Sequence, residues 1–156
     1  MEATFTTKER KKEFEKVFKE KILPLFQQHG FCRHTKTSKR LFKTFEKGLT
    51  VFVFFEYKNR FGCYDITIAY FDDDYGTVYE DNYLAMASTK MPSFSGDNVS
   101  KLNTAVEEWL VQAEASVLPF VEQHTTHKAL AESTDFYISK ARETQILEFL
   151  NKKSTK

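Results

Sequence analysis

Apolar residues recur at Phe14, Val17, Phe18, Ile22, Leu25 and Phe26, the spacing of a helix with one buried stripe. Thr6 or Thr7 is a capping residue for its start, and Gly30 is a natural stop. Its other face carries Lys12, Lys16 and Lys19 interleaved with Glu13, Glu15 and Glu20, which reads as a solvated face with i, i+4 pairs. From residue 31 the period changes to two. Short apolar runs at "FCRHT", Leu41 to Glu46, Leu49 to Tyr57 and Tyr64 to Phe71 read as strands. Lys47-Gly48 marks a hairpin, and Asn59-Arg60-Phe61-Gly62 a turn. The run Val51 to Phe55 is apolar on both faces, which predicts a central strand covered on both sides. Connections this short imply an antiparallel meander.

Residues 75–98 carry no clear period, and "TVYEDNYLAMAS" fits a strand as well as a short helix. A second long stripe follows through Leu102, Val106, Trp109, Leu110, Ala113, Val117, Phe120 and Val121, with Asp97 or Asn98 as cap. Thr126 caps a short helix over His127 to Glu132, and Thr134 or Asp135 caps a last one through Ile146, Leu147 and Leu150. The expected fold is one α+β domain over 1–156. It has a four- or five-stranded antiparallel sheet, two long helices on one face and short C-terminal helices.

Two stretches resemble each other: "ILPLFQQHG" from Ile22 and "VLPFVEQHT" from Val117. Each puts a proline about one turn before the end of an apolar stripe. Proline forfeits a hydrogen bond and crowds the preceding turn, at about 3 kcal/mol in an undistorted helix. The stripes continue past Pro24 and Pro119, so the helices are expected to be bent or locally broken rather than terminated there. Coincidence and internal duplication both account for the likeness, and the rest of the chain shows no matching repeat.

The run "VFKEKILPLFQQHGF" followed by "LFKTFEKGLTVFVFFEY", with Leu118-Pro119-Phe120 later, resembles the bacterial domain-of-unknown-function family 4304. The resemblance covers roughly residues 10–130. It implies an amphipathic helix ending in Gly30-Phe31, an antiparallel sheet over Phe42 to Phe55 and a closing helix through Leu118-Pro119-Phe120. It brings no catalytic residue onto this chain.

Composition adds bounds. A chain of 156 residues fits one domain. Sixteen Phe and seven Tyr make its core aromatic, and five Gly with three Pro argue against low complexity. The net charge of +1 conceals a split: residues 1–60 carry 15 Lys/Arg and 7 Asp/Glu, a net of +8, and residues 61–156 carry 8 and 15, a net of −7. Such a domain can neutralise itself, dimerise head to tail, or offer its basic half to an acidic partner. The polar N-terminus is no secretory signal, no run of 18 apolar residues exists, and two separated cysteines suggest thiols. The expectation is cytoplasmic and off the membrane.

Candidate chemistry is sparse. Asp72, Asp73 and Asp74, with Glu80 and Asp81 beyond, could hold Mg²⁺ or Ca²⁺ through carboxylate oxygens, or form a solvated strand end. His124 and His127 have a zinc-compatible spacing without an obvious third ligand. His29 suits a helix C-terminus. Cys32 with His34, or Cys63, could be nucleophilic, though buried thiols acting as small apolar groups are commoner. Arg33, Lys36, Lys39, Arg40 and Lys43, near Phe42 and Phe45, could meet phosphates and bases of a single-stranded nucleic acid, or shield an edge strand. No phosphate-binding glycine loop, nucleophile elbow or zincin helix occurs. The leading expectation is a non-catalytic protein-binding module with an unknown protein partner, needing no cofactor. It would be a monomer or homodimer, of the immunity or antitoxin kind by analogy. The alternatives are a metal-dependent enzyme using the aspartates and nucleic-acid binding through the basic hairpin.

Overall fold

The computed structural model describes residues 4–58, 63–87 and 91–155. The turn expected at Asn59-Arg60-Phe61-Gly62 lies outside them. The first helix, α1, spans residues 7–28 and has three parts: an α segment Thr7–Val17, a π turn Phe18–Ile22 and an α segment Leu23–Gln28. Thr6 caps it, its side chain accepting from the Glu9 N–H while Glu9 accepts from the Thr6 N–H, so two otherwise orphaned donors are satisfied. Gly30 ends it at φ 86°. Phe31 N–H returns to Phe26 O and Gly30 N–H to Gln27 O, and the Phe26 and Phe31 rings meet edge to face. This is the Schellman arrangement with its apolar contact, and the left-handed residue has to be glycine at little cost.

Among the described residues the sheet has seven antiparallel strands. They are β1 Cys32–Arg33, β2 Arg40–Thr44, β3 Leu49–Lys58, β4 Cys63–Asp72, β5 Ala85–Ala87, β6 Phe94–Ser95 and β7 Phe136–Tyr137. The order is β1-β2-β3-β4-β5-β7, and β6 pairs with the other end of β4. The sheet is thus larger than the expected four or five strands. The additions are two or three residues long, too short to show a period. Lys47 and Gly48 turn the β2–β3 hairpin with φ of 61° and 83°, the left-handed geometry a tight reversal requires.

Register sorts the side chains. Val51, Val53 and Phe55 pair with Tyr70, Ile68 and Ile66, and all six face the helices. On this side α1 lies beside α2, which spans residues 99–122 as Val99–Gln112, a π turn Ala113–Val117 and Leu118–Glu122. Asn98 caps α2 through the Lys101 N–H. The two helices meet the sheet through aromatic contacts: Phe14 stacks on Tyr64 at 3.6 Å, and Trp109 packs against Phe26, Phe55 and Phe94. The Trp109 indole N–H donates to Pro92 O at 2.8 Å, satisfying the one polar atom that this buried ring carries. Each large side chain so buried contributes about 1.5–3 kcal/mol.

Each proline is the second residue after a π turn. Leu23 N–H bonds to Phe18 O, and Leu118 N–H to Ala113 O, each five residues back. A proline ring collides with the carbonyl four residues earlier, and one extra residue in the turn relieves that crowding. The helices therefore continue past their prolines and still present one stripe to the sheet.

Helix α3 is His127–Glu132, capped by Thr126, and α4 is Glu143–Ser154. The last helix does not start at Thr134 or Asp135. Phe136 and Tyr137 instead pair with Ala87 and Met86 as an edge strand, because an aromatic pair beside an open strand gains more from the ladder than from an isolated helical turn.

Candidate functional site

Asp72 ends β4 opposite Leu49, on the helix-covered face, and is 2% exposed. A carboxylate there must be paired. His127, at the start of α3, donates from Nε2 to Asp72 Oδ2 at 2.8 Å. Lys153, from α4, lies 3.3 Å from the same oxygen, and Asp72 Oδ1 accepts the Asp74 N–H at 2.9 Å. Lys153 also donates to Asp74 Oδ2 at 2.6 Å and to Lys47 O at 3.1 Å. Its hydrogen bond to Asp74, against a smaller loss from burial and helped by the charge of Asp72, raises its pKa.

Two of the three aspartates, Asp72 and Asp74, thus bind the chain's own Lys153 ammonium. Asp73 leaves the cluster and lines a hollow of about 250 Å³ with His34, Phe42 and Tyr79. Among the described residues no three His, Cys, Asp or Glu side chains gather as metal ligands. His124 and His127 diverge: His124 contacts Phe120 O at 2.7 Å and Ser133 Oγ at 3.3 Å, away from Asp72.

His127 borders a cleft of about 790 Å³ between the β2–β3 hairpin and the ends of α3 and α4. Two hydroxyls that line it are occupied by helix ends. Ser154 donates to Leu150 O, and Thr126 accepts from Ala129 N–H. Among the described residues the hydrogen bond of His127 goes to Asp72 and not to a hydroxyl of this cleft. The pair works as a clamp joining β4 to α3 and, through Lys153, to α4.

The five basic residues of the hairpin region do not share one surface. Arg33 and Lys39 both pair with Glu15 of α1. Burial alone would raise the Glu15 carboxyl; the hydrogen bonds and charges of Lys39 and Arg33 outweigh it and hold it below its ordinary value. Lys43 pairs with Glu122 at 3.2 Å and donates to His29 O. Lys36 is exposed in the loop between β1 and β2. Arg40 lies on the face of the sheet that carries Phe54, its guanidinium 5.4 Å from that ring centre. Cys32, expected to be buried, is exposed, and Cys63 is half-buried with its Sγ 3.8 Å from Asp65 Oδ1.

The face of the sheet turned away from the helices was not singled out by any sequence motif. Phe42, Phe52 and Phe54 form a stacked row, and Phe71 meets two of them edge to face. Among the described residues no helix packs on this row. Residues 73–84 cross it as a strap, and Val78, Tyr83 and Met86 pack on it. The strap is anchored at Gly76, which bridges to Asp72, and its Tyr79 hydroxyl meets His34 Nε2 at 3.2 Å. Burial, then the charge of Arg40, lowers the His34 pKa. Beside the strap a groove of about 410 Å³ runs over Phe54, Ala69, Phe71 and Met86, bordered by Lys39 and Arg40 and by Glu56 and Asp81. The alternation Phe52-Val53-Phe54 was the available signal, since it showed that β3 is apolar on both sides.

No protein-family model, no curated protein and no solved structure matches the chain.

Proposed function

We propose that this protein is a binding module that docks another protein on the strapped, aromatic face of its sheet. The observation that carries the reading is the aromatic row in which Phe42 and Phe54 stay partly exposed over buried Phe52 and Phe71, beside a groove with charges of both signs. Apolar patches rimmed by polar groups mark protein contacts. A phosphate backbone on this face would meet Glu56 and Asp65, which oppose one another across β3 and β4, as well as Asp81, so a protein surface suits it better than a nucleic acid. Neutralisation of a partner by occupation, as immunity and antitoxin proteins do, requires no more than such a face. Kinship with the family that Gly30-Phe31 and Leu118-Pro119-Phe120 resemble is part of the same proposal.

The test is capture from a lysate of the source cells with immobilised protein. The wild type and a Val111→Asp control on the exposed side of α2 should retain the same protein, and an Arg40→Glu, Tyr79→Ser variant should lose it. Equal retention by all three overturns the reading. So does substrate turnover that a His127→Ala variant abolishes while its fold is intact.

A further inference from the structure

The charges around the groove identify one occupant. Arg40 and Asp81 border the same groove. Arg40 rests on the Phe54 ring, and neither it nor Asp81 has an ion-pair partner among the described residues. The other two charged residues that border the groove are engaged: Lys39 with Glu15, and Glu56 with Lys58. Asp81 is fixed in position, with φ 56° and its N–H on Val78 O. Two residues before it stands Tyr79, 78% exposed, the most exposed large apolar side chain among the described residues. The face therefore offers an aromatic projection next to an anion, and an apolar groove next to a cation.

Those two features complement each other. In a two-fold assembly a contact from residue i to residue j is always matched by one from j to i, so a face that carries both a feature and its complement can pair with itself. We propose that a second copy of this chain docks on this face, with Tyr79 of each copy entering the groove of the other and Asp81 of each meeting Arg40 of the other. The proposal rests on the reading of this face as a docking surface. The ion pairs form at the edge of an apolar contact, where partial desolvation strengthens them and specifies the partner. Two sheets stacked in this way also cover what remains exposed of Phe42 and Phe54 on both.

Sedimentation equilibrium from micromolar to millimolar protein tests it. The wild type should show a concentration-dependent dimer. Arg40→Glu places two carboxylates opposite each other at both contacts, and Asp81→Lys places two cations there, so each alone should dimerise at least about tenfold more weakly. An equimolar mixture of the two variants restores both oppositely charged contacts and should dimerise like the wild type. Both residues are exposed, and unchanged thermal melts would show that the fold is kept. A monomeric wild type, variants that dimerise normally, or a mixture that stays monomeric overturns the proposal. A monomeric wild type that still captures a partner, with loss in the Arg40→Glu, Tyr79→Ser variant, leaves the docking face standing without the second copy. Failure of both experiments removes the face as well.

Discussion

Tyr70 packs against Phe136 in the core, and its hydroxyl is buried with no hydrogen-bond partner among the described residues. An unsatisfied buried hydroxyl is costly, so Tyr70→Phe should raise unfolding stability by about 1 kcal/mol in urea titrations. Burial drives the Tyr70 phenol well above its ordinary pKa of 10.0, helped by the charge of Glu122, and burial does the same for Tyr64 with Tyr57 contributing. A raised folded-state pKa means that the folded chain holds the proton more firmly than the unfolded chain. The stabilisation is complete below the unfolded pKa near 10 and is lost as pH climbs from there through the folded values. Denaturation followed by fluorescence should therefore show an alkaline limb beginning near pH 10, shallower in Tyr70→Phe. Asp72 behaves differently from its neighbours. Asp72→Ala leaves buried His127 without its partner and should cost about 3 kcal/mol, whereas Asp73→Ala, on an exposed residue, should stay within about 0.5 kcal/mol. The sequence displayed the three aspartates as equals. What separates them is a histidine 55 residues away in the chain, a distance no local pattern spans.

The long helices are the elements whose sequence was most readable. Thr6 with Glu9, Asn98, Thr126 and Gly30 all stand at the ends where their chemistry put them, because capping is settled within four residues of chain. The prolines were legible as disturbances and only the structure showed their form. With a π turn in place, Pro24 occupies the second position of a new α segment, where its fixed φ suits and its missing N–H costs little. Pro24→Ala should consequently change stability by less than about 1 kcal/mol. Deleting Lys19, which converts the π turn to α, should cost about 3 kcal/mol with Pro24 present and much less in the Pro24→Ala background. A double-mutant cycle of urea midpoints measures that coupling, and additivity would refute the compensation. Gly96 sets a second constraint, since a Cβ there would lie 2.4 Å from the Leu102 backbone in the first turns of α2. Gly96→Ala should lower the melting temperature sharply, because helix backbone cannot move aside as a flexible side chain does. The strands β5, β6 and β7 were not readable: segments this short exist because a neighbouring edge is present to pair with.

At the scale of the molecule, the opposed charges of the two parts of the chain meet one another. Arg10 pairs with Asp97, Lys21 with Glu107 and Lys43 with Glu122, each cation from the basic first part and each anion from the acidic remainder. Exposed pairs contribute about 0.2–1 kcal/mol each and weaken with salt. Together they should lower the melting temperature by about 2–5 °C between low and high salt, as scanning calorimetry would show. No helix among the described residues is long and apolar enough to cross a membrane.

The sequence by itself determined the α+β class, the stripes of both long helices, their caps and the β2–β3 hairpin, since each depends on residues a few positions apart. Tertiary structure alone decided which of three adjacent aspartates is buried, which lysines are neutralised by Glu15, and that one apolar side of β3 faces helices while the other lies under a strap. Burial and pairing depend on partners brought in from distant parts of the chain, and the free energy that selects them is stored in contacts that exist only once the sheet has closed.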